Sequence, residues 1–239
     1  MAKVDKEKRQ AVSSHHTATH LLHWVLENYF GSHIRQAGSL VSEDRLRFDF
    51  NHHKLLSSDE INLIEKKMNQ LIRKNGTIET EELTYQEVEG NSFIKQFFNE
   101  KYGEIVRVVT IDLKEDGVSK ELCGGTHVIQ TGELGCFQII KSQTVASGIC
   151  RIEAVVGNSA EKRIYKQTSK IKNLVNLFKV QEDSLEEHAG QLLRKVKDYE
   201  RQLKEMKTLQ MQTLVKEWVL NQPNMDTNWK IFYQEIDRR

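Results

Sequence analysis

Beyond Gly157 glycine nearly disappears from the chain, and long charged side chains surround regularly spaced apolar ones. The change in composition and the spacing of apolar residues point to helix. Leu185, Ala189, Leu192, Val196, Tyr199, Leu203 and Met206 alternate spacings of four and three, a heptad seam of about three repeats. The seam predicts a packing helix and self-association through residues 185–206. Pro223, the only proline, must end any helix that reaches it and leaves 221–239 as a tail. Upstream, strands and helices intermingle without a regular βαβ rhythm, which predicts an α+β domain with a mixed or antiparallel sheet packed against helices. The expected organisation is therefore a domain at 1–160, a helical, coiled-coil-like segment at 161–220 and a tail at 221–239.

Within the first part, apolar residues at Ala11, Ala18, Leu21, Leu22, Val25, Leu26 and Tyr29 have helical spacing. Ser13 or Ser14 is placed to cap that helix, and Gly31 to end it. "SLVSEDRLRFDF" reads as a hairpin turning at Ser42–Arg45. A second helix follows, with Ser57 and Glu60 at capping-box spacing and Gly76 as its stop. "TIETEELTYQEV" reads as a long strand, Phe93–Phe98 as a short helix and "EIVRVVTIDL" as a strand. "KEDGVSK" is expected as a loop, and two strands broken at Ala146–Gly148 close the domain.

Charge and composition exclude several classes. The net charge of +1 gives no global basic field, so any nucleic-acid contact must come from local patches. No apolar run approaches the roughly 20 residues of a membrane span, and the charged start lacks the apolar stretch of a signal peptide. Three cysteines (Cys123, Cys136 and Cys150) cannot all pair with one another, which fits a reducing cytosol.

"HHTATHLLH" places His16 and His20 four residues apart, on one face of a helix, where both can converge on one ion. His23 lies near that face and His15 points elsewhere; neither has a required role. Thr17 stands where a zinc-protease motif needs its glutamate, so that chemistry is excluded. About a hundred residues on, "CGGTH" supplies Cys123 and His127, which complete a set of three nitrogens and one sulfur. Gly124 and Gly125 let the backbone turn sharply between them. Taken singly, each motif also fits packing histidines, or a buried cysteine in a tight turn.

"HHTATHLLH", "RQAGSLV", "EKYGEIVRVV", "SKELCGGTHV", "TGELGCFQIIK" and "RIEAVVG" occur in one order and at compatible distances. Over roughly residues 11–160 they resemble the editing domain of alanyl-tRNA synthetases, shared with free-standing editing proteins and, more distantly, with threonyl-tRNA synthetases. The following helix resembles the start of the coiled C-terminal region. The resemblance implies Zn2+ on His16, His20, Cys123 and His127. It also implies hydrolysis of tRNA(Ala) mischarged with serine or glycine, in the cytoplasm. A pocket shaped for alanine rejects glycine by only about 1–3 kcal/mol and discriminates poorly against an added hydroxyl, so a second, hydrolytic site raises accuracy. By the same resemblance Thr19 and Gln36 border the amino-acid pocket. Cys150 departs from the pattern, since a basic residue usually precedes "RIEAV".

The glycine pair raises the expectation that Gly124 and Gly125 present N–H groups to a developing oxyanion. Lys162, Arg163, Lys166, Lys170 and Lys172, with Lys141 and Arg151, are candidates for phosphate contacts. Nothing resembles an aminoacylation core, so this chain is not expected to charge tRNA, and its abrupt end reads as that of a synthetase fragment. The alternative to an editing hydrolase is a non-catalytic, zinc-stabilised module for tRNA binding or dimerisation.

Overall fold

The computed structural model describes residues 3–96 and 102–220. The chain divides into two compact units, Met1–Thr168 and Ser169–Arg239, and the boundary falls within one helix.

Helix α1, Lys6–Phe30, starts earlier than its apolar periodicity predicts. Asp5 caps it, its side chain accepting the N–H groups of Glu7 and Lys8 at 3.0 and 3.1 Å. The added turn is charged and exposed, so it leaves no trace in the apolar pattern, while Ser13 and Ser14 are buried inside the helix rather than capping it. Strands β1, Gln36–Val41, and β2, Leu46–Asn51, form the expected hairpin, closed by Ser42 N–H on the Arg45 carbonyl at 3.0 Å. Helix α2, Ser58–Arg73, carries the expected capping box between Ser57 and Glu60. Its end differs in cause from expectation. Asn75, at φ 51°, takes the left-handed conformation, whereas Gly76 is required because a Cβ there would lie 1.8 Å from the Asp112 carbonyl oxygen.

Strand β3, Ile78–Thr84, is shorter than expected, because Tyr85–Val88 forms a one-turn helix α3, with Glu87 accepting the Thr84 N–H. Residues 93–96 of the expected helix at 93–98 form a turn and a bridge instead, and the last two lie outside the described residues. Strand β4 is Ile105–Asp112, and β5, Val118–Leu122, begins inside the segment expected to be loop. Strands β6, Phe137–Ala146, and β7, Ile149–Val156, form the last hairpin.

These strands make two antiparallel sheets, one ordered β1-β2-β7-β6 and the other β3-β4-β5. Lys95 adds an isolated parallel bridge to Glu121. On the first sheet Phe48 and Phe50 of β2 and Ile152 and Ala154 of β7 meet Leu21, Leu22 and Leu26 of α1, with Ile64, Met68 and Leu71 of α2, in one core. Val88, Ile94, Val106, Val108 and Leu122 form a smaller second cluster. The burial that anchors α1 by its apolar face fixes which face its histidines present.

Helix α4, Gly157–Phe178, and helix α5, Leu185–Leu220, complete the described chain. The heptad seam lies on α5, where Leu185 is half-buried and the large members from Leu192 to Met206 are open to solvent, from 36% exposed at Leu192 to 61% at Tyr199. Pro223 and the tail at 221–239 lie outside the described residues. No helix among the described residues is long and apolar enough to cross a membrane.

Candidate metal centre

The middle of α1 faces the end of β5 and the turn that follows it. From α1 come His16 and His20; from the turn come Cys123 and His127, and one ligand atom of each lies within 4.8 Å of all the others. Cys123 Sγ is 3.4 Å from both His16 Nε2 and His127 Nε2. Ligand atoms around a tetrahedral zinc, with arms of about 2.0–2.3 Å, stand about 3.3–3.8 Å apart, so these contacts match a zinc-sized gap. Burial disfavours a charged sulfur, yet hydrogen bonds from His127, His16 and His20 pull the Cys123 thiol down to about 3. The thiolate is the form that ligates metal. Burial also lowers the pKa of His127, favouring the neutral imidazole a metal needs. The donor set, three imidazoles and one thiolate, suits zinc.

Other residues hold these four in place, and no local spacing announces them. Thr17, fully buried, lies with its Oγ1 3.1 Å from His127 Nδ1 and accepts the Val128 N–H at 3.2 Å. That contact ties up Nδ1 and leaves Nε2 toward the sulfur. Glu121, only 2% exposed, sets one carboxylate oxygen 2.5 Å from His20 Nδ1 and the other 3.2 Å from His23 Nδ1. Lys95 Nζ lies 3.5 Å from Glu121 and 2.7 Å from Glu27, which brings a balancing positive charge to the buried carboxylate. Burial opposes the imidazolium of His20, but the Glu121 carboxylate and Cys123 outweigh it and raise its pKa to about 10, so a metal at His20 competes with a proton for the ring. His23, left without a required role by its spacing, partners Glu121 and lines the cavity. His15 points away, as expected, joining α1 to β7 through Ala11 O at 2.9 Å and the Val156 N–H at 3.3 Å.

The two glycines of the turn differ sharply. A Cβ on Gly125 would lie 1.9 Å from His16 Cε1, so only glycine leaves room for that ring. Its N–H donates to Cys123 Sγ at 3.4 Å, and Gly124 has open space around its Cα.

A cavity of about 220 Å³ adjoins the donor set, bounded by His16, Thr19, His20, Gln36, Ser39 and Gly124, with His23, Glu121 and Cys123. Thr19 and Gln36 therefore stand together on its wall. The Thr19 hydroxyl donates to the His15 carbonyl at 2.8 Å, which leaves its lone pairs to accept.

The candidate RNA residues separate. Lys141, Lys162, Lys166, Lys170 and Lys172 are exposed, and Lys162 and Lys166 share one face of α4. Arg163 is half-buried with an enclosed Nε. Arg151 is held bidentately by Asp49, at 2.7 Å for both contacts, so its charge is already paired. Cys150 points into the core, its Sγ 3.1 Å from the Lys54 carbonyl oxygen.

Comparison with known proteins agrees with this architecture. A family profile described as threonyl and alanyl tRNA synthetase second additional domain matches residues 106–153. Alanine–tRNA ligase of Thermotoga maritima is 47% identical over 201 residues, covering 84% of this chain and 23% of the relative. Alanine–tRNA ligase of Petrotoga mobilis is 41% identical over 214 residues, covering 90% and 24%. That of Chlamydia trachomatis serovar D is 37% identical over 233 residues, covering 97% and 26%. The chain thus spans about a quarter of the length of the curated relatives it matches. Over most of its length the chain is similar to alanine–tRNA ligases, and within that stretch residues 106–153 match the second additional domain of threonyl and alanyl tRNA synthetases.

Proposed function

We propose that residues 1–160 form an editing hydrolase that cleaves the aminoacyl ester of tRNA(Ala) mischarged with serine or glycine, and that it requires zinc on His16, His20, Cys123 and His127. The observation that carries this reading is the small cavity lying directly against that donor set, with Thr19 and Gln36 on its wall. Its volume suits a small amino acid. Because the Thr19 hydroxyl is committed as a donor to His15, its oxygen is fixed as an acceptor for a serine hydroxyl. Alanine offers that oxygen only a methyl group. Gln36 supplies an amide to the same group.

Bound zinc supplies Lewis-acid polarisation of a carbonyl or a water of lowered pKa. Gly124, on the cavity wall, is the glycine left to offer an N–H to the developing oxyanion, since that of Gly125 serves the thiolate. Lys141, Lys162 and Lys166 supply exposed positive charge for tRNA phosphates, with Arg163 at their margin and Arg151 contributing only through its pair with Asp49. The cytosol, where tRNA is charged, is the compartment of this reading, and the free cysteines fit its reducing conditions.

A second reading has its own support. Four protein ligands are the number found at structural zinc sites, and the open seam on α5 fits self-association of a non-catalytic tRNA-binding or dimerising module. Deacylation of seryl-tRNA(Ala) and alanyl-tRNA(Ala) by the purified chain separates the two. The hydrolase reading expects rapid loss of the seryl ester and sparing of the alanyl ester. Hydrolysis at the spontaneous rate with zinc bound leaves only the second reading.

A further inference from the structure

The turn that carries Cys123 and His127 is held at two points by one residue of the neighbouring strand. Arg107, on β4, accepts the Cys123 N–H on its main-chain carbonyl at 2.9 Å. Its guanidinium Nη2 donates to the carbonyl of Gly125, two residues further on. The strand ladder makes the first contact, and any residue at position 107 supplies that carbonyl. The second contact depends on the side chain. Arg107 lies half-buried with its Nε enclosed, so this contact is made by a side chain partly shielded from solvent.

We propose that Arg107 is a positioning residue for the metal centre: its side chain pins the Gly125 carbonyl and thereby fixes the turn in the conformation that lets Cys123 and His127 share one ion. Two glycines in succession give this turn unusual backbone freedom, and neither has a side chain with which to anchor itself. Freedom there moves the two ligands relative to each other, and a metal tolerates displacements of only about 0.2 Å. A charged donor on a neutral carbonyl is among the stronger single restraints available, at about twice a neutral hydrogen bond. The same restraint keeps the Gly125 N–H on Cys123 Sγ.

This inference rests on the metal reading above, so the test begins with the parent chain. Zinc affinity is measured by competition with a chromophoric chelator, and the cobalt-substituted spectrum reports ligand geometry and the sulfur-to-cobalt band. Failure of the parent to bind either metal refutes the metal reading itself. With the parent bound, Arg107→Met keeps the aliphatic stem and removes the donors. Loss of an outer-shell partner typically weakens metal binding about 10–100-fold, and that range is expected here, with a weakened or shifted sulfur-to-cobalt band. Arg107→Lys keeps one charged donor and is expected to recover part of both signals. It also carries the test if the methionine variant does not fold. Zinc affinity and cobalt spectrum unchanged in the folded variants overturn the proposal. So does a loss of metal-free stability with both metal signals intact, which would make Arg107 a packing residue only.

Discussion

Replacing Gly125 with alanine should empty or cripple the metal centre while leaving the fold intact. An added Cβ lies 1.9 Å from His16 Cε1 and 2.3 Å from Nδ1, against an ordinary contact of 3.4 Å or more. The imidazole must therefore withdraw by about 1.5 Å, several times the roughly 0.2 Å a metal ligand tolerates. Gly125 is outside the left-handed region, so alanine adds no backbone strain and the whole effect falls on His16. Structural zinc sites bind with about 10–16 kcal/mol; shared among four ligands, one ligand accounts for about 3 kcal/mol, or about 100-fold in affinity. The assay is chelator competition for zinc, alongside far-UV circular dichroism to follow the fold. Gly124→Ala is the control, because open space surrounds that Cα and parental affinity is expected. Parental zinc affinity in the Gly125 variant would mean that His16 is dispensable or that the turn is free to move away.

Thr17→Val removes the partner of His127 Nδ1, which is half-buried, and of the Val128 N–H, which is buried. A loss of about 1–3 kcal/mol is expected from the urea midpoint of the metal-free chain, and no change would remove Thr17 from the site's support. Ser57 N–H and Lys54 hold the Glu60 carboxyl down to about 2, so its contribution is complete above the ordinary carboxylate range and is lost as pH falls toward 2. Glu60→Gln should flatten that part of the acid-unfolding curve; an unchanged curve contradicts the capping role. For the α5 seam, sedimentation should show mass rising with concentration in the parent. Val196→Lys combined with Leu203→Lys should abolish that rise, and a monomeric parent at every concentration refutes self-association.

The four candidate ligands were legible because each pair sits within five residues, where helix geometry or a glycine turn alone decides proximity. The cap at Ser57, the hairpin at Ser42–Arg45 and the heptad seam were legible for the same local reason. Thr17, Lys95, Arg107 and Glu121 were not, because their partners are distant in sequence or lie across a strand pairing that no spacing reveals. Glu121 shows the limit most clearly. It sits two residues before a legible ligand, yet its burial beside His20 and His23 depends on how α1 meets β5. Arg151 misled in the opposite sense: a basic residue beside a recognisable motif looked free, and the strand register delivered Asp49 to it. The early start of α1 escaped because exposed polar turns add nothing to an apolar pattern.

On the proposed function, one metal held by His16, His20, Cys123 and His127 is required for hydrolysis at the adjoining cavity. Single-turnover deacylation of seryl-tRNA(Ala) by the metal-stripped chain, before and after one equivalent of zinc, tests it directly. The spontaneous rate is expected without metal, and restored hydrolysis at one zinc per chain. Equal hydrolysis by a folded, metal-free chain would contradict it.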